Sequence, residues 1–228
     1  MDETIVIEPA LWAAFQEADG FMPDDEARAL YAAALDGARV GPAAEIGTYL
    51  GKSAILLAGA ARARGRKLLT VDHHRGSEEH QPGWEYHRPE LVDGQVGLMD
   101  TLPGARRALA RAGVERDVVL IVGRSAEVAA LWGTPLGFVF IDGGHTHEAA
   151  QADYAGWAPH VAPGGLLAIH DVFPDPADGG QAPYRIYLRA LESGEFAEDA
   201  ALSGTGSLRV LRRLGAARTT PRADANGV

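Results

Sequence analysis

The chain has 228 residues, of which 46% are hydrophobic and 23% are charged, and its formal net charge at pH 7 is −10. This length is sufficient for one α/β domain with a buried core, but two full domains would be cramped. The negative charge disfavours nucleic acid and anionic membranes as partners, and the absence of cysteine excludes disulfide bonds and thiolate zinc sites. A small molecule is the expected partner.

The start of the chain carries no sign of a targeting segment. Residues 1–4 (MDET) are acidic and are not followed by an apolar run of signal-peptide length. No stretch of the sequence reaches the ~18 consecutive apolar residues that a membrane span requires. We therefore expect a cytoplasmic protein.

Two amphipathic helices are predicted before the first strand, over residues 9–18 and 24–35, and the second begins with an acidic first turn. We assign residues 1–39 to an N-terminal helical segment that forms a cap or a dimer contact. Because the apolar faces of these helices are suited to covering a partner subunit, a homodimer is expected.

Short apolar runs then alternate with helical segments, which is typical of a parallel sheet covered by helices on both faces. The predicted strands are residues 43–46, 67–71, 118–122, 138–141 and 166–169. The predicted helices are one that starts at Ser53, then residues 125–132, 146–160 and 183–191, with a turn at 163–165 leading into the fifth strand.

The C-terminal part completes the predicted fold. Residues 197–203 and 207–214 are predicted as an antiparallel hairpin at one edge of the sheet, joined by a turn at 204–206. We therefore predict that residues 40–214 form a doubly wound, mostly parallel seven-stranded α/β sheet and that residues 215–228 are a disordered tail. Residues 73–95 show no hydrophobic period and are predicted as a long functional loop.

A glycine-containing segment, residues 45–53 (EIGTYLGKS), joins the first strand to the helix that follows it. Glycines there allow the backbone to approach a ligand closely. A nucleotide-triphosphate loop needs four residues between its first glycine and Gly-Lys-Ser, whereas three separate Gly47 from Gly51. The dinucleotide fingerprint GxGxxG is also absent, because Tyr49 stands where its second glycine belongs. A nicotinamide-dependent oxidoreductase is therefore the second interpretation.

Three further features follow at the ends of the predicted strands. Asp72 closes the second strand 21 residues after Gly51, where a carboxylate can accept hydrogen bonds from both hydroxyls of a ribose. Residues 138–145 (FVFIDGGH) and 163–171 (PGGLLAIHD) place histidine and aspartate at the ends of the fourth and fifth strands. With these motifs, residues 40–212 resemble the class I S-adenosylmethionine (SAM)-dependent methyltransferases. The last two segments are similar to those of small O-methyltransferases, including enzymes that methylate sugars and macrolide sugars.

The resemblance implies a SAM site at the carboxyl ends of the strands. It assigns Glu45 and Gly47 to the amino-acid part of the cofactor, Ser53 to its carboxylate and Asp72 to its ribose. Residues 123–125 would border the adenine, and Asp142 would lie under the methionine portion. The implied cofactor contacts are Glu45, Ile46, Gly47, Thr48, Tyr49, Gly51, Ser53, Asp72, His73, Gly123, Arg124, Ser125, Asp142 and Gly143.

Four ionisable residues are expected to converge on one crevice, because ligands of open parallel sheets bind beyond the carboxyl ends of the strands. They are Asp142, His145, His170 and Asp171. An alcohol is too weak an acid to ionise at neutral pH, so its methylation needs a base or a divalent cation. The candidate catalytic residues are His145, His170 and Asp171.

The resemblance also implies a metal. Asp142, His170 and Asp171 stand at the positions that hold a divalent cation in catechol and sugar O-methyltransferases. Those families usually place a carboxylate where this chain has His170, and Mg²⁺ prefers oxygen ligands, whereas a mixed set is better suited to Mn²⁺, Fe²⁺ or Zn²⁺. The other interpretation is a metal-free site in which His170 is a general base.

The acceptor is expected to lie under a lid formed by Trp84, Tyr86 and His87 of the long loop together with residues 175–184. Mixed aromatic and polar groups suit a hydroxylated ring or a sugar. The predicted activity is O-methylation of a hydroxyl on a small metabolite or a glycosylated natural product. N-methylation, nicotinamide-dependent oxidoreduction and a non-catalytic binding role are the alternatives.

Overall fold

The computed structural model describes residues 5–204 and 206–215. The turn predicted at 204–206 includes one residue outside this range, and the tail predicted at 215–228 lies almost wholly outside it. In chain order, the strands are β1 (Ala43–Ile46), β2 (Leu68–Asp72), β3 (Val92–Asp93), β4 (Leu98–Met99), β5 (Val118–Val122), β6 (Leu136–Ile141), β7 (Val161–Ile169), β8 (Phe196–Glu198) and β9 (Arg209–Arg213). The helices are α1 (Pro9–Glu17), α2 (Asp24–Gly37), α3 (Lys52–Ala63), α4 (Leu102–Arg111), α5 (Ser125–Leu131), α6 (His147–Trp157) and α7 (Ala182–Glu192).

A seven-stranded sheet with the order β5-β2-β1-β6-β7-β9-β8 forms the centre of the protein. The first five strands of this order are parallel, while β9 pairs antiparallel with both β7 and β8. The predicted doubly wound, mostly parallel sheet with an antiparallel C-terminal hairpin is confirmed. β3 and β4 form a separate two-stranded ladder inside the long loop.

Helices cover both faces of the sheet, which explains why its central strand β6 is apolar and every residue of it is buried. On one face, α1, α2 and α3 pack together against the sheet, with Phe15, Leu30 and Phe140 in one apolar cluster. On the other face, α6 and α7 supply Trp157 and Ile186 to a second cluster. The N-terminal helices therefore share the apolar core of the sheet, and this packing brings the start of α2 close to the end of β7.

Two details differ from the sequence-based expectations. The turn predicted at 163–165 lies inside β7, because Leu136 pairs with Val161 and Phe138 already pairs with Leu166, so that β7 carries extra residues as a bulge. Helix α4 was not predicted, since Pro103 and the glycine after it stand in its first turn and hide the helical period. Within the described residues, no helix has the length and apolar character needed to cross a membrane.

Candidate active site

A cavity lies at the carboxyl ends of β1, β6 and β7. Its volume, about 490 Å³, is in the range of small-molecule binding sites. Six of the predicted cofactor residues line it, namely Gly47, Thr48, Tyr49, Ser53, Asp142 and Gly143. The three catalytic candidates, His145, His170 and Asp171, line the same cavity. The remaining predicted cofactor residues, Glu45, Ile46, Gly51, Asp72, His73, Gly123, Arg124 and Ser125, do not line it.

A larger cavity, of about 590 Å³, lies at the opposite ends of β6 and β7. Arg213 lines this cavity, but its guanidinium already donates to the carbonyls of Ala158, Pro159 and Val161 and pairs with Glu195. We therefore place the functional site in the first cavity, where the ionisable groups converge.

The loop after β1 is pressed against the loop after β6 at Gly47. This glycine has a φ of +99°, and its N–H donates to the carbonyl of Val71 at 3.0 Å. A Cβ at this position would collide with the backbone carbonyl of Asp142. Only glycine combines this conformation with this approach, so residue 47 fixes one wall of the cavity.

Glu45 lies beneath this loop and is fully buried. Its two carboxyl oxygens accept hydrogen bonds from the hydroxyls of Ser53 and Thr70, both at 2.6 Å. Burial raises the pKa of Glu45 to about 8, although the two hydroxyls act in the opposite direction. In the neutral form that this pKa favours at pH 7, the carboxyl O–H donates to one of these two hydroxyls, so that one of the contacts reverses. In either form Glu45 ties β1 to β2 and α3.

Asp72 acts as a bridge between two loops. One of its oxygens accepts the backbone N–H of Tyr49 at 2.8 Å, and the other accepts that of His74 at 2.7 Å. His73, next to it, is half-buried, and its Nδ1 accepts the N–H of Arg75 at 3.1 Å. The described groups around Asp72 thus hold the loops after β1 and β2 together at the edge of the sheet.

Backbone strain is concentrated at the same edge. The described residues include three non-glycine residues with positive φ: Tyr49 (46°), His74 (58°) and Asp171 (55°). They follow β1, β2 and β7, respectively. Such conformations persist where the surrounding structure enforces them, and they occur frequently at functional sites.

His170, at the end of β7, lies between three carboxylates. Its Nδ1 is 3.2 Å from Asp142 and 3.3 Å from Asp171, and its Nε2 is 2.6 Å from Glu26. Burial opposes a charge on this ring, but the charge of Asp142 and the hydrogen bonds to all three carboxylates outweigh it and raise the pKa of His170 to about 12. The ring is therefore a cation in this arrangement.

His145 lies between two carboxylates in the same way, with Nε2 at 3.0 Å from Asp171 and Nδ1 at 2.9 Å from Glu79. These two hydrogen bonds raise the pKa of His145 to about 10 against the effect of burial. Although burial alone would raise the pKa of Asp171, its bonds to the two imidazoles hold that pKa well below its usual range. The predicted catalytic residues thus form a chain of ion pairs.

Two members of this group were missed from the sequence. Glu26 was assigned to the acidic first turn of α2, yet it lies on the same helical stripe as the buried residues Ala27, Leu30 and Tyr31, and that period was an available signal. Glu79 lies in the irregular long loop, where no period indicates its direction. We call the following residues the acid–histidine cluster: Glu26, Glu79, Asp142, His145, His170 and Asp171.

Aromatic rings surround the mouth of the cavity. The ring of Tyr49 lies 5.1 Å from that of His80 and 6.1 Å from that of Phe21, and Phe21 lies 5.6 Å from Tyr86. All four residues line the cavity. They come from three separate loops, so the mouth combines apolar faces with a charged floor.

The predicted lid is present in part. Of its long-loop residues, Tyr86 lines the cavity, whereas Trp84 and His87 do not. From the segment after β7, Phe173, Asp178, Gly179, Gly180 and Pro183 line it. The cavity is therefore bounded by both loops that the sequence indicated.

The three predicted metal ligands lie close enough together to share one ion. One ligand atom from each of Asp142, His170 and Asp171 lies within 4.8 Å of the other two. The closest spacings, 3.2 and 3.3 Å, are near the roughly 3 Å that separates neighbouring ligands at about 2.1 Å from one ion. These residues fit a small divalent cation.

Comparisons with known proteins identify the family and the fold. The methyltransferase domain family matches residues 44–172, more than half of the chain. A SAM-bound O-methyltransferase, TomG from Streptomyces achromogenes, which is involved in tomaymycin synthesis, has 20% identity and a TM-score of 0.59, with 93% of each chain covered. An O-methyltransferase from Bacillus cereus in complex with SAH has 18% identity and a TM-score of 0.58, with 93% of this chain and 94% of that chain covered.

The cofactor-bound Rv0187 from MTB is similar as well, with 21% identity, a TM-score of 0.61 and 93% of each chain covered. At these identities the solved structures establish the fold, while the family match extends over β1 to β7 and most of the cavity. The resemblance to class I SAM-dependent methyltransferases is confirmed, and this chain belongs to the methyltransferase domain family.

Proposed function

We propose that this protein transfers the methyl group of SAM to a hydroxyl oxygen of a small-molecule acceptor. The observation that carries the proposal is the single cavity that joins the glycine loop of residues 47–53 to the acid–histidine cluster. A cofactor held by the loop and an acceptor held by the cluster would meet in that cavity. The family match supports the reaction class.

The cavity suits the methionine part of the cofactor. When bound, SAM supplies an electrophilic methyl group, and the protein has mainly to align the acceptor oxygen with it. Ser53 stands in the first turn of α3, where backbone N–H groups favour a carboxylate, and Gly47 leaves the adjacent wall open. We assign the ribose to Asp72, whose carboxylate retains free lone pairs beside the two N–H bonds that it accepts. The adenine is assigned to residues 123–125.

The reactive end requires a group that favours loss of the acceptor proton. In the ion-paired arrangement both imidazoles of the cluster are protonated at neutral pH, so they do not act as bases, and a developing oxyanion would share one of the N–H groups that point to the carboxylates. His145 is the better placed of the two for this contact, because its side chain is about one-third exposed while that of His170 is 7% exposed.

We further propose a divalent cation at Asp142, His170 and Asp171. The acid–histidine cluster has four carboxylates and two imidazoles, so that even two protonated rings leave a formal charge of −2. Since one ligand is nitrogen, Mn²⁺, Fe²⁺ or Zn²⁺ is preferred to Mg²⁺. A cation bound there would lower the pKa of the acceptor hydroxyl.

The acceptor is proposed to be a hydroxylated ring or sugar, since aromatic faces line the mouth of the cavity and charged groups line its floor. N-methylation is the second candidate, because an amine acceptor has less need than a hydroxyl of the charged groups on the floor of the cavity. The division into residues 1–39 and 40–214, dimerisation through the N-terminal helices and a cytoplasmic location stay predictions.

The test is calorimetry with SAM and, separately, with NAD(H), followed by methyl transfer to a panel of hydroxylated aromatic and sugar acceptors with EDTA or with Mn²⁺. We expect SAM to bind and Mn²⁺ to restore the activity that EDTA removes. In Gly47→Ala the added Cβ meets the Asp142 carbonyl, so the affinity for SAM should fall by at least about tenfold, ~1.4 kcal/mol. Gly65→Ala is the matched control, because Gly65 also has positive φ (65°) but its Cβ would meet no atom within 4 Å. Binding of NAD(H) alone would overturn the proposal.

A further inference from the structure

Glu26 reaches the acid–histidine cluster from outside the part of the chain that the methyltransferase domain family matches, residues 44–172. It lies in the first turn of α2 and is 3% exposed. Its Oε2 is 2.6 Å from Nε2 of His170, the shortest ion pair in the cluster. So short a contact requires the carboxylate of Glu26 to be fixed in position, and the contacts of its second oxygen, Oε1, fix it.

Residues close to the C-terminus hold Glu26 from the other side. The backbone N–H of Ser207 donates to Oε1 of Glu26, and the Ser207 hydroxyl lies 3.4 Å from Oε2. A Cβ on Gly206 would collide with the same carboxylate. The two oxygens of Glu26 therefore have separate tasks, with Oε1 facing a backbone donor and Oε2 facing the imidazole.

This arrangement determines which nitrogen of His170 carries a hydrogen toward α2. An ionised carboxylate can only accept hydrogen bonds, so Nε2 must be protonated in order to donate to Oε2. Both oxygens of Glu26 face donors, namely the N–H and hydroxyl of Ser207 and the imidazole of His170, and these are the surroundings of an ionised carboxylate. Nδ1 is then the nitrogen that faces Asp142 and Asp171.

We propose that Glu26 is a positioning residue of the active site, which keeps a proton on Nε2 of His170 and so directs Nδ1 to the Asp142–Asp171 pair. The catalytic meaning of this role rests on the proposed function. Carboxylates that accept the second N–H of a metal-binding histidine orient the ring and fix its tautomer in this way. Glu26 would have that role whether Nδ1 binds a cation or remains paired with the two aspartates.

The variant Glu26→Gln tests the proposal because glutamine has nearly the same shape as glutamate but carries an NH₂ donor in place of one carboxylate oxygen. The buried N–H of Ser207 requires an acceptor, so the amide oxygen must face it and the NH₂ group must face His170. Nε2 then has to accept a hydrogen bond and loses its proton, while Nδ1 keeps the proton that Asp142 and Asp171 accept. The variant is therefore expected to convert His170 from a cation to the neutral tautomer that carries its one proton on Nδ1.

The experiment is a two-bond ¹H–¹⁵N correlation spectrum of the full-length, metal-stripped protein labelled with ¹⁵N-histidine at pH 7. The chain has eight histidines, and the signals of His170 are identified by their loss in His170→Gln. We expect a protonated Nε2 in the wild type and an unprotonated Nε2 in Glu26→Gln. Glu26→Asp, which keeps a carboxylate, should retain the protonated Nε2. Glu17→Gln, the same change at an exposed position of α1, should leave the His170 signals unchanged.

An unprotonated Nε2 in the wild type would overturn the proposal without any variant, and so would a protonated Nε2 in a folded Glu26→Gln. A second readout is Mn²⁺ affinity by calorimetry, which should fall by about 10- to 100-fold in Glu26→Gln; an unchanged affinity would contradict the positioning role. Failure of the wild type to bind SAM would contradict the proposed function, whereas the nitrogen spectra decide the role of Glu26 independently of it.

Discussion

Two buried glutamates differ in charge state: Glu45, outside the acid–histidine cluster, is neutral, and Glu26, a member of the cluster, is ionised. Glu45 is fully buried and Glu26 is 3% exposed, so burial penalises the charged form of both. The partners of Glu45 are the hydroxyls of Ser53 and Thr70, and its pKa is raised to about 8. The partners of Glu26 are an imidazole and a backbone N–H, and its pKa is lowered.

The difference shows that burial alone does not determine the charge of a carboxyl group in this protein. Two neutral hydroxyls satisfy the oxygens of Glu45 but do not compensate for the desolvation of a charge. A cationic ring and a fixed N–H do compensate for it at Glu26. One glutamate thus serves as a neutral structural link and the other as part of an ion cluster, and each of the following measurements addresses that contrast.

Removal of the charged glutamate should have the largest effect. Glu26→Ala leaves the buried ring of His170 without its shortest ion pair and the N–H of Ser207 without an acceptor. Loss of one partner from a buried ion pair costs about 3–5 kcal/mol, measured as the free energy of unfolding in urea at pH 7. Glu17→Ala, at an exposed site, is the control. Equal stability of the two variants would show that Glu26 is not part of a buried ion pair.

The neutral glutamate should be visible in the pH dependence of stability. The folded-state pKa of Glu45, about 8, lies above its ordinary value of 4.5, so its contribution is fully present below pH 4.5 and is lost as the pH rises toward 8. Between pH 5 and 8, the stability of the wild type relative to Glu45→Gln should therefore fall by up to about 1.4 kcal/mol per pH unit. Urea unfolding at three pH values measures this slope. A difference that stays constant or increases with pH would indicate that Glu45 is ionised.

The smallest effect should come from one hydroxyl partner of Glu45. Thr70 is fully buried, and its hydroxyl donates to Glu45 at 2.6 Å. Thr70→Val keeps the shape but leaves a buried carboxyl oxygen without its donor, at a cost of about 1–3 kcal/mol. Thr70→Ser keeps the hydroxyl and loses one methyl group, which costs about 0.8 kcal/mol. The two variants, compared by thermal or urea unfolding, separate the hydrogen bond from packing; if Thr70→Ser were the less stable, packing would be the dominant contribution.

The sequence indicated one of these glutamates and not the other, for physical reasons. Glu45 precedes a glycine-containing loop at the end of an apolar strand, and both features are local. Glu26 follows two aspartates at a helix start, where acidic residues have a simpler role near the helix dipole. Its partners, His170 and the N–H of Ser207, are 144 and 181 residues away, and no local pattern reports such contacts.

The same distinction holds for the rest of the molecule. Hydrophobic periodicity predicted the parallel strands and most helices. The rule that ligands bind at the carboxyl ends of strands correctly predicted that His145, His170 and Asp171 line one cavity. The position of Asp72 at the end of β2 was correct as well, but its bonds to two backbone N–H groups depend on the strained loops around it. Glu79 belongs to an irregular segment whose path is determined by packing.

The contact of Glu26 with Gly206 and Ser207 has a consequence for how the protein is made. A nascent chain that has emerged only as far as Asp171, just after β7, contains His170 and its aspartates, but Glu26 still lacks the backbone donor that orients it. The reactive edge is complete only after β9 has been synthesised and has paired with β7. Because contacts between such distant residues form late and slowly, the catalytic arrangement should be among the last parts of the protein to be assembled.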